Sequence, residues 1–302
     1  MDFIDFILNF CLLLLWLNWR TMGFARLRPS IATHSLMSGL KMTQPQSGIN
    51  RWAYLVLLVA LLALRSFFYN SVGPAVQWAP TMDFGPIGIA FRSDFMNRAA
   101  LFSILSFGKF LAVFYVCLIV LSAVNVRLPE FDPIQSWVRM HLGAFERLPS
   151  AAKLFAPFVL GAATWAGLGA IFVTAEMAPP SQGAAQSIKE AAIIGLYAYF
   201  PLKYFLFVIL GAHVVNSYVY LGNHEVLNFI DSTARNLTIP LKWLTFGRID
   251  LAPIVGIVLV VAVNHFGQRG LEAAYGVRLV EDSMAPAAAR SEESGPESGV
   301  DE

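Results

Sequence analysis

Charge is scarce in this chain. Asp, Glu, Lys and Arg make up 14% of its 302 residues, and hydrophobic residues 57%. A soluble domain holds about 25% charge and about 45–50% apolar residues. The departure runs in the direction lipid demands, since a charge in hydrocarbon is costly and rarely kept. Cysteine is nearly missing. Cys11 and Cys117 each fall inside an apolar run, which excludes a disulfide framework and thiolate metal spacing and leaves two small buried hydrophobes. With a net charge of +1, the chain has no basic stripe interleaved with aromatics, so nucleic acid is not expected as a partner. Catalytic signatures are missing as well. There is no His-Glu-x-x-His, no Gly-x-Ser-x-Gly and no phosphate-binding glycine loop. No catalytic residue, metal or cofactor is assigned, and an enzyme is not expected. Acids are rare within the apolar runs, which argues against a carboxylate-driven proton pump.

Six apolar runs remain. A membrane-crossing helix needs about 20 mostly apolar residues. The candidates are Phe3 to Trp19, Trp52 to Tyr69, Ala100 to Ala123, Leu154 to Thr174, a run from Ala191 to Tyr220, and Leu251 to Phe266. The fifth is too long for one straight span. Pro201 divides it, because proline suits a first helical turn, so a spanning helix is predicted from near Pro201 with a shorter segment leading in. The start of the first run carries Asp2 and Asp5 and no basic residue, and Arg20, Arg26 and Arg28 follow it. A cleaved secretory signal has the opposite order, so this run reads as a retained span.

Lys and Arg fix the orientation. Arg20, Arg26, Arg28, Lys41 and Arg51 fall between spans one and two. Arg127, Arg139, Arg147 and Lys153 fall between three and four, and Arg235, Lys242 and Arg248 between five and six. The alternate loops are poorer, with Arg92 and Arg98 in one and Lys189 in the other. The predicted fold class is all-α and polytopic, in a bacterial-type inner or plasma membrane, with both termini outside. Residues 70–98 read as a turn-rich outer loop at the interface. The acidic tail, 284–302, lacks the apolar surface to fold.

Two stretches superpose without gaps, 131–160 on 227–256. Ile134 meets Ile230, Ser136 meets Ser232, Arg139 meets Arg235 and Leu148 meets Leu244. Ala156, Pro157 and Val159 meet Ala252, Pro253 and Val255. This predicts a duplicated unit of span, basic amphipathic segment and a span opening with Ala-Pro. The organisation is then a two-span region over 1–99, one unit over 100–175 and a second over 191–270. In the second unit Leu227, Ile230, Ala234, Leu237, Leu241 and Leu244 recur at helical spacing. That predicts an interfacial helix with its apolar face in lipid, broken at Pro240. Asp250 is placed to cap the sixth span.

The run Thr238 to Val255 resembles the signature of the YggT family of integral membrane proteins, through Pro240, Lys242, Gly247, Asp250, Ala252 and Pro253. The family often has further prolines where Asn236 and Thr245 stand here, and its linker is about two residues longer. The resemblance implies a small membrane protein with two such units. It also implies functions of the kind connected with that family: osmotic tolerance, envelope processes, or assembly of membrane complexes and b-type cytochromes.

Candidate functional residues each have a plainer reading. Lys109 and Lys203 lie near the outer starts of the spans that open each unit. They line a path as in repeat-built transporters, or they snorkel to headgroups. His213, with Asn216 and Ser217 nearby, is a haem-ligand candidate, a proton relay, or a helix–helix hydrogen bond. Arg139 and Arg235 bind anionic lipid or a partner, or simply carry the orientation signal. A small-residue face on span four (Gly161, Gly167, Gly169) suits close packing within the chain or in a homo-oligomer. The expected function is a non-enzymatic structural or assembly module whose partners are membrane lipids and other integral membrane proteins. Solute or ion transport and haem handling are the alternatives.

Overall fold

The computed structural model describes residues 2–27, 50–76, 80–91, 95–126, 132–174, 183–219, 224–246 and 249–275. His34, Lys41, Gly247, Arg248 and the tail lie outside these, as does the side chain of Asp250 with the cap expected of it. Helices α1 (Asp2–Leu27), α2 (Arg51–Val72), α3 (Met96–Val124), α5 (Ser150–Thr174) and α9 (Ala252–Tyr275) are each long and apolar enough to cross a membrane. Together, α6 (Ala184–Tyr197) and α7 (Leu202–Tyr218) make a sixth crossing that is broken in its middle. The chain is an all-α, multi-pass membrane protein. Two short helices, α4 (Pro133–Leu142) and α8 (Glu225–Leu237), lie at one end of the bundle and are each followed by a 3-10 segment, Gly143–Arg147 and Ile239–Leu244. The order helix, short helix, 3-10 segment, helix thus occurs twice, as α3–α4–α5 and as α7–α8–α9.

The segment expected as an interfacial loop is instead part of the core. Strands β1 (Thr81–Phe84) and β2 (Ile87–Ala90) pair antiparallel, with Met82 opposite Ile89 and Phe84 opposite Ile87. Gly85 holds φ +78°, which a two-residue hairpin turn asks of its first central residue. Met82, Ile89 and Phe91 are buried against Tyr69 of α2, Phe102 of α3, Trp165 and Phe172 of α5 and Ile194 of α6. Period-two burial of small apolar strands is hidden among glycines and prolines in the sequence, so the loop reading won there. Pairing its own backbone lets a non-helical segment sit among spanning helices. A second, two-residue ladder pairs β3 (Thr245–Phe246) with β4 (Ile249–Asp250) ahead of α9.

Two further expectations change. Pro253 stands in the first turn of α9, as predicted, but α5 opens at Ser150, so Pro157 is interior. The helix α8 ends at Leu237, before Pro240, and its buried face is Phe229, Thr233 and Ala234. That face packs on Leu118 of α3 and Ile209 and Leu210 of α7. The apolar stripe thus faces protein, because α3 and α7 together offer it a groove of their own apolar side chains.

Candidate functional site: charges at the helix joints

Lys109 lies in the middle of α3, thirteen residues from its start, or ~20 Å. It is too far from that end to snorkel in the way expected. Its ammonium donates to the Asp83 carbonyl at 2.6 Å, within 5.8 Å of the Phe84 ring centroid. The lysine therefore pins the hairpin to α3. Lys203 also lies inside a crossing, just after the break between α6 and α7. It donates to Asn264 Oδ1 of α9 at 3.1 Å, while Asn264 Nδ2 donates to the Phe200 carbonyl at 3.4 Å. Breaking a helix frees backbone carbonyls, and in lipid these need partners. The Phe200 carbonyl accepts from the Lys203 N–H at 3.2 Å, and Asn264 adds a second donor.

Tyr199, in the same break, reaches α5. Its hydroxyl donates to the Leu154 carbonyl at 2.5 Å and accepts from the Phe158 N–H at 3.3 Å. Leu154 and Phe158 are an i−4 pair of the α5 ladder, next to Pro157. The phenol thus bonds both members of that pair, beside the position where the proline removes one ladder bond. The glycines at 161 and 195 make the approach possible: a Cβ on Gly195 would lie 2.7 Å from the Phe158 carbonyl. Gly161 is thus used for packing within the chain, whereas Gly167 and Gly169 have open space. Above the break, the hairpin tip rests on Tyr197. A Cβ at Gly85 would meet that ring at 2.9 Å. Gly85, Pro86, Tyr197, Gln268, Leu271 and Glu272 line a small open cleft of about 80 Å³.

A further charge cluster stands where the sequence reading assigns no site. Arg65 of α2 is 2% exposed. Its guanidinium donates to Tyr69 Oη (2.9 Å), Asn9 Oδ1 (2.7 Å), Asp5 Oδ1 (3.1 Å) and Ser106 Oγ (3.0 Å), and Tyr69 donates to Asp5. Three helices are tied by one fork of donors. The signal was present: an arginine in the second apolar run, with an acid and an amide in the first.

At the α4/α8 end, His213 is buried and its Nδ1 lies 2.7 Å from Asp231 Oδ1 of α8; Asn216 Nδ2 donates to Asp231 Oδ2 at 2.7 Å. The partner of His213 is thus an acid on the short helix. His265 is no second haem ligand for it, because Leu210 meets Gly256 and His265 stands ~14 Å further along α9 from that contact. Asn125 joins the two units, donating to Thr233 Oγ1 at 2.8 Å and accepting from Asn236 at 3.0 Å. Arg139 faces Glu146 at 3.6 Å, and Glu146 also pairs with buried Lys153 at 3.1 Å and accepts from Ser122. Arg235 is exposed. His141 of α4 is buried, with Nδ1 3.0 Å from the Trp137 carbonyl. Burial pushes its imidazole below the ordinary value, the Trp137 carbonyl opposes this, and Arg20 adds to it. Of the signature residues, Pro240 and Lys242 fall in the second 3-10 segment, and Ala252 and Pro253 open α9. Among the described residues no group of three His, Cys, Asp or Glu is placed to hold a metal.

Comparison with known proteins returns nothing: no family model, no curated protein and no solved structure matches this chain.

Proposed function

We propose that this chain is a non-catalytic membrane scaffold, a module that gathers other integral membrane proteins and lipids around a duplicated helical unit. The observation that carries this reading is how its intramembrane polar groups are used. Arg65 is committed to Asp5, Lys109 to the hairpin backbone, Lys203 to Asn264 and His213 to Asp231. Each ties one element to another, as expected of groups that set a fixed shape. The recurring element order supports duplication, and the Pro240 to Pro253 signature supports a relation to the YggT family. The basic loops support an inner-membrane placement with α4 and α8 on the cytoplasmic side and both termini outside. The test is purification from native membrane in mild detergent, with mass spectrometry and an absorbance spectrum of one sample. Recurrent co-purifying membrane complexes are expected. A partner-free, colourless protein that moves a solute by itself overturns the scaffold reading, and a Soret band would redirect it to haem handling.

A second reading, a transport component, is favoured by one feature. The crossing α6–α7 is broken beside a cleft, with Lys203 at the break, and discontinuous helices mark binding sites in repeat-built transporters. Proteoliposome flux that collapses in Lys203→Ala would support it; flux indifferent to Lys109→Ala and Lys203→Ala would remove it.

A further inference from the structure

The gap-free register that sets Arg139 on Arg235 also sets Glu146 on Lys242 and Arg147 on Trp243. In the first unit the arginine has its counter-ion inside the protein, since Glu146 reaches both Arg139 and Lys153. In the second unit the acid is replaced by another cation. Among the described residues no ion pair or hydrogen bond engages the Arg235 side chain, which is exposed on α8. The following 3-10 segment presents Trp243 at 75% exposure and Ile239 at 44%. An exposed tryptophan beside cations is the arrangement that sits at a headgroup level, ring in the interface and charges on phosphate.

We propose that the second unit binds the headgroup of an anionic phospholipid at Arg235, with Trp243 set into the same leaflet, and that the first unit does not. The lipid phosphate takes the place that the Glu146 carboxylate fills in the first unit. The inference rests on the reading of the chain as a two-unit membrane module, but not on its having protein partners.

The experiment uses the full chain, reconstituted in discs of phosphatidylcholine with a minority of phosphatidylglycerol, then released for native mass spectrometry. Wild type is expected to retain phosphatidylglycerol over phosphatidylcholine. Arg235→Gln should lower that preference about fivefold, the worth of one basic residue at an anionic surface. Lys242→Glu, which brings the first unit's acid into the second and so offers Arg235 a counter-ion within the protein, should lower it further. Arg147→Gln, in the first unit, should leave it unchanged. Equal retention in wild type, Arg235→Gln and Lys242→Glu overturns the proposal. So does displacement of the lipid by millimolar inorganic phosphate, which would make the site one for a free anion. Because no partner protein is present, failure here would leave the scaffold reading standing, and failed co-purification would leave this one standing.

Discussion

The two helical units share an order of elements and differ in where each spends its charge. The first, α3–α4–α5, puts an ion cluster beyond its short helix, where Glu146 gathers Arg139, Lys153 and Ser122. The second, α7–α8–α9, puts its acid on the short helix itself, where Asp231 takes His213 and Asn216 from α7. At the position aligned with Asp231, the first unit has Gln135, fully buried, with neither amide atom hydrogen-bonded. The first unit thus uses an acid in the segment after its short helix, and the second an acid in the middle of that helix. One fold tolerates both solutions because the apolar packing of Val138 on one side and Phe229 and Ala234 on the other is shared in a single cluster.

The comparison can be broken at several points. Glu146→Gln should be the most damaging, lowering stability by about 3 kcal/mol because buried Lys153 is left without its counter-charge. Adding Lys153→Met to Glu146→Leu should recover most of that, since replacing both partners by apolar groups is close to neutral. Unfolding in detergent followed by circular dichroism measures both. Asn125→Leu, which cuts the tie between the units at two hydrogen bonds, should cost about 2 kcal/mol in the same assay. Asp231→Leu should cost about 1.5 kcal/mol, whereas Gln135→Leu at the aligned position should be neutral or stabilising by up to about 1 kcal/mol. Equal losses in those two variants would erase the asymmetry.

The smallest effect concerns pH. The folded state holds the His141 imidazole below its ordinary value by burial, so the unfolded chain binds a proton there that the folded chain resists. This part of the stability is whole above about pH 6.5 and declines as pH falls below it. His141→Leu, which copies Leu237 at the aligned position, should narrow the gap between melting temperatures at pH 7.5 and 5.5. An unchanged gap would place the acid sensitivity elsewhere.

The spanning helices were legible because twenty-residue apolar runs are a strong signal, and the break near Pro201 followed from length and one imide ring. The amphipathic period of 225–237 was also legible, but not what it faces, since periodicity reports an apolar stripe and cannot distinguish lipid from a groove between α3 and α7. The hairpin was hidden because strands of four residues give two apolar repeats each, fewer than the turn residues around them. Lys109 and Lys203 were found by type but misplaced in depth. The run of apolar residues located Lys109 nine residues from the start of its span, while the helix begins four residues earlier at Met96. Asp231 as the partner of His213 lies eighteen residues downstream on the next helix, within reach of a search for acids; the contact of Tyr199 with the backbone of α5 has no sequence signal at all.

That phenol gives the bundle a mechanical property. A helix with an interior proline can swing about the missing bond, and a crossing broken in the middle can swing about its joint. Here the joint of one is hydrogen-bonded to the other beside that missing bond, at Leu154 and Phe158. The two weak points are therefore one bearing with one pin. A swing of α5 at its proline strains the Tyr199 contacts, and a turn of α6 against α7 pulls on α5 through the same phenol. Phenylalanine at 199 would keep the ring and draw the pin, leaving two hinges free to move separately.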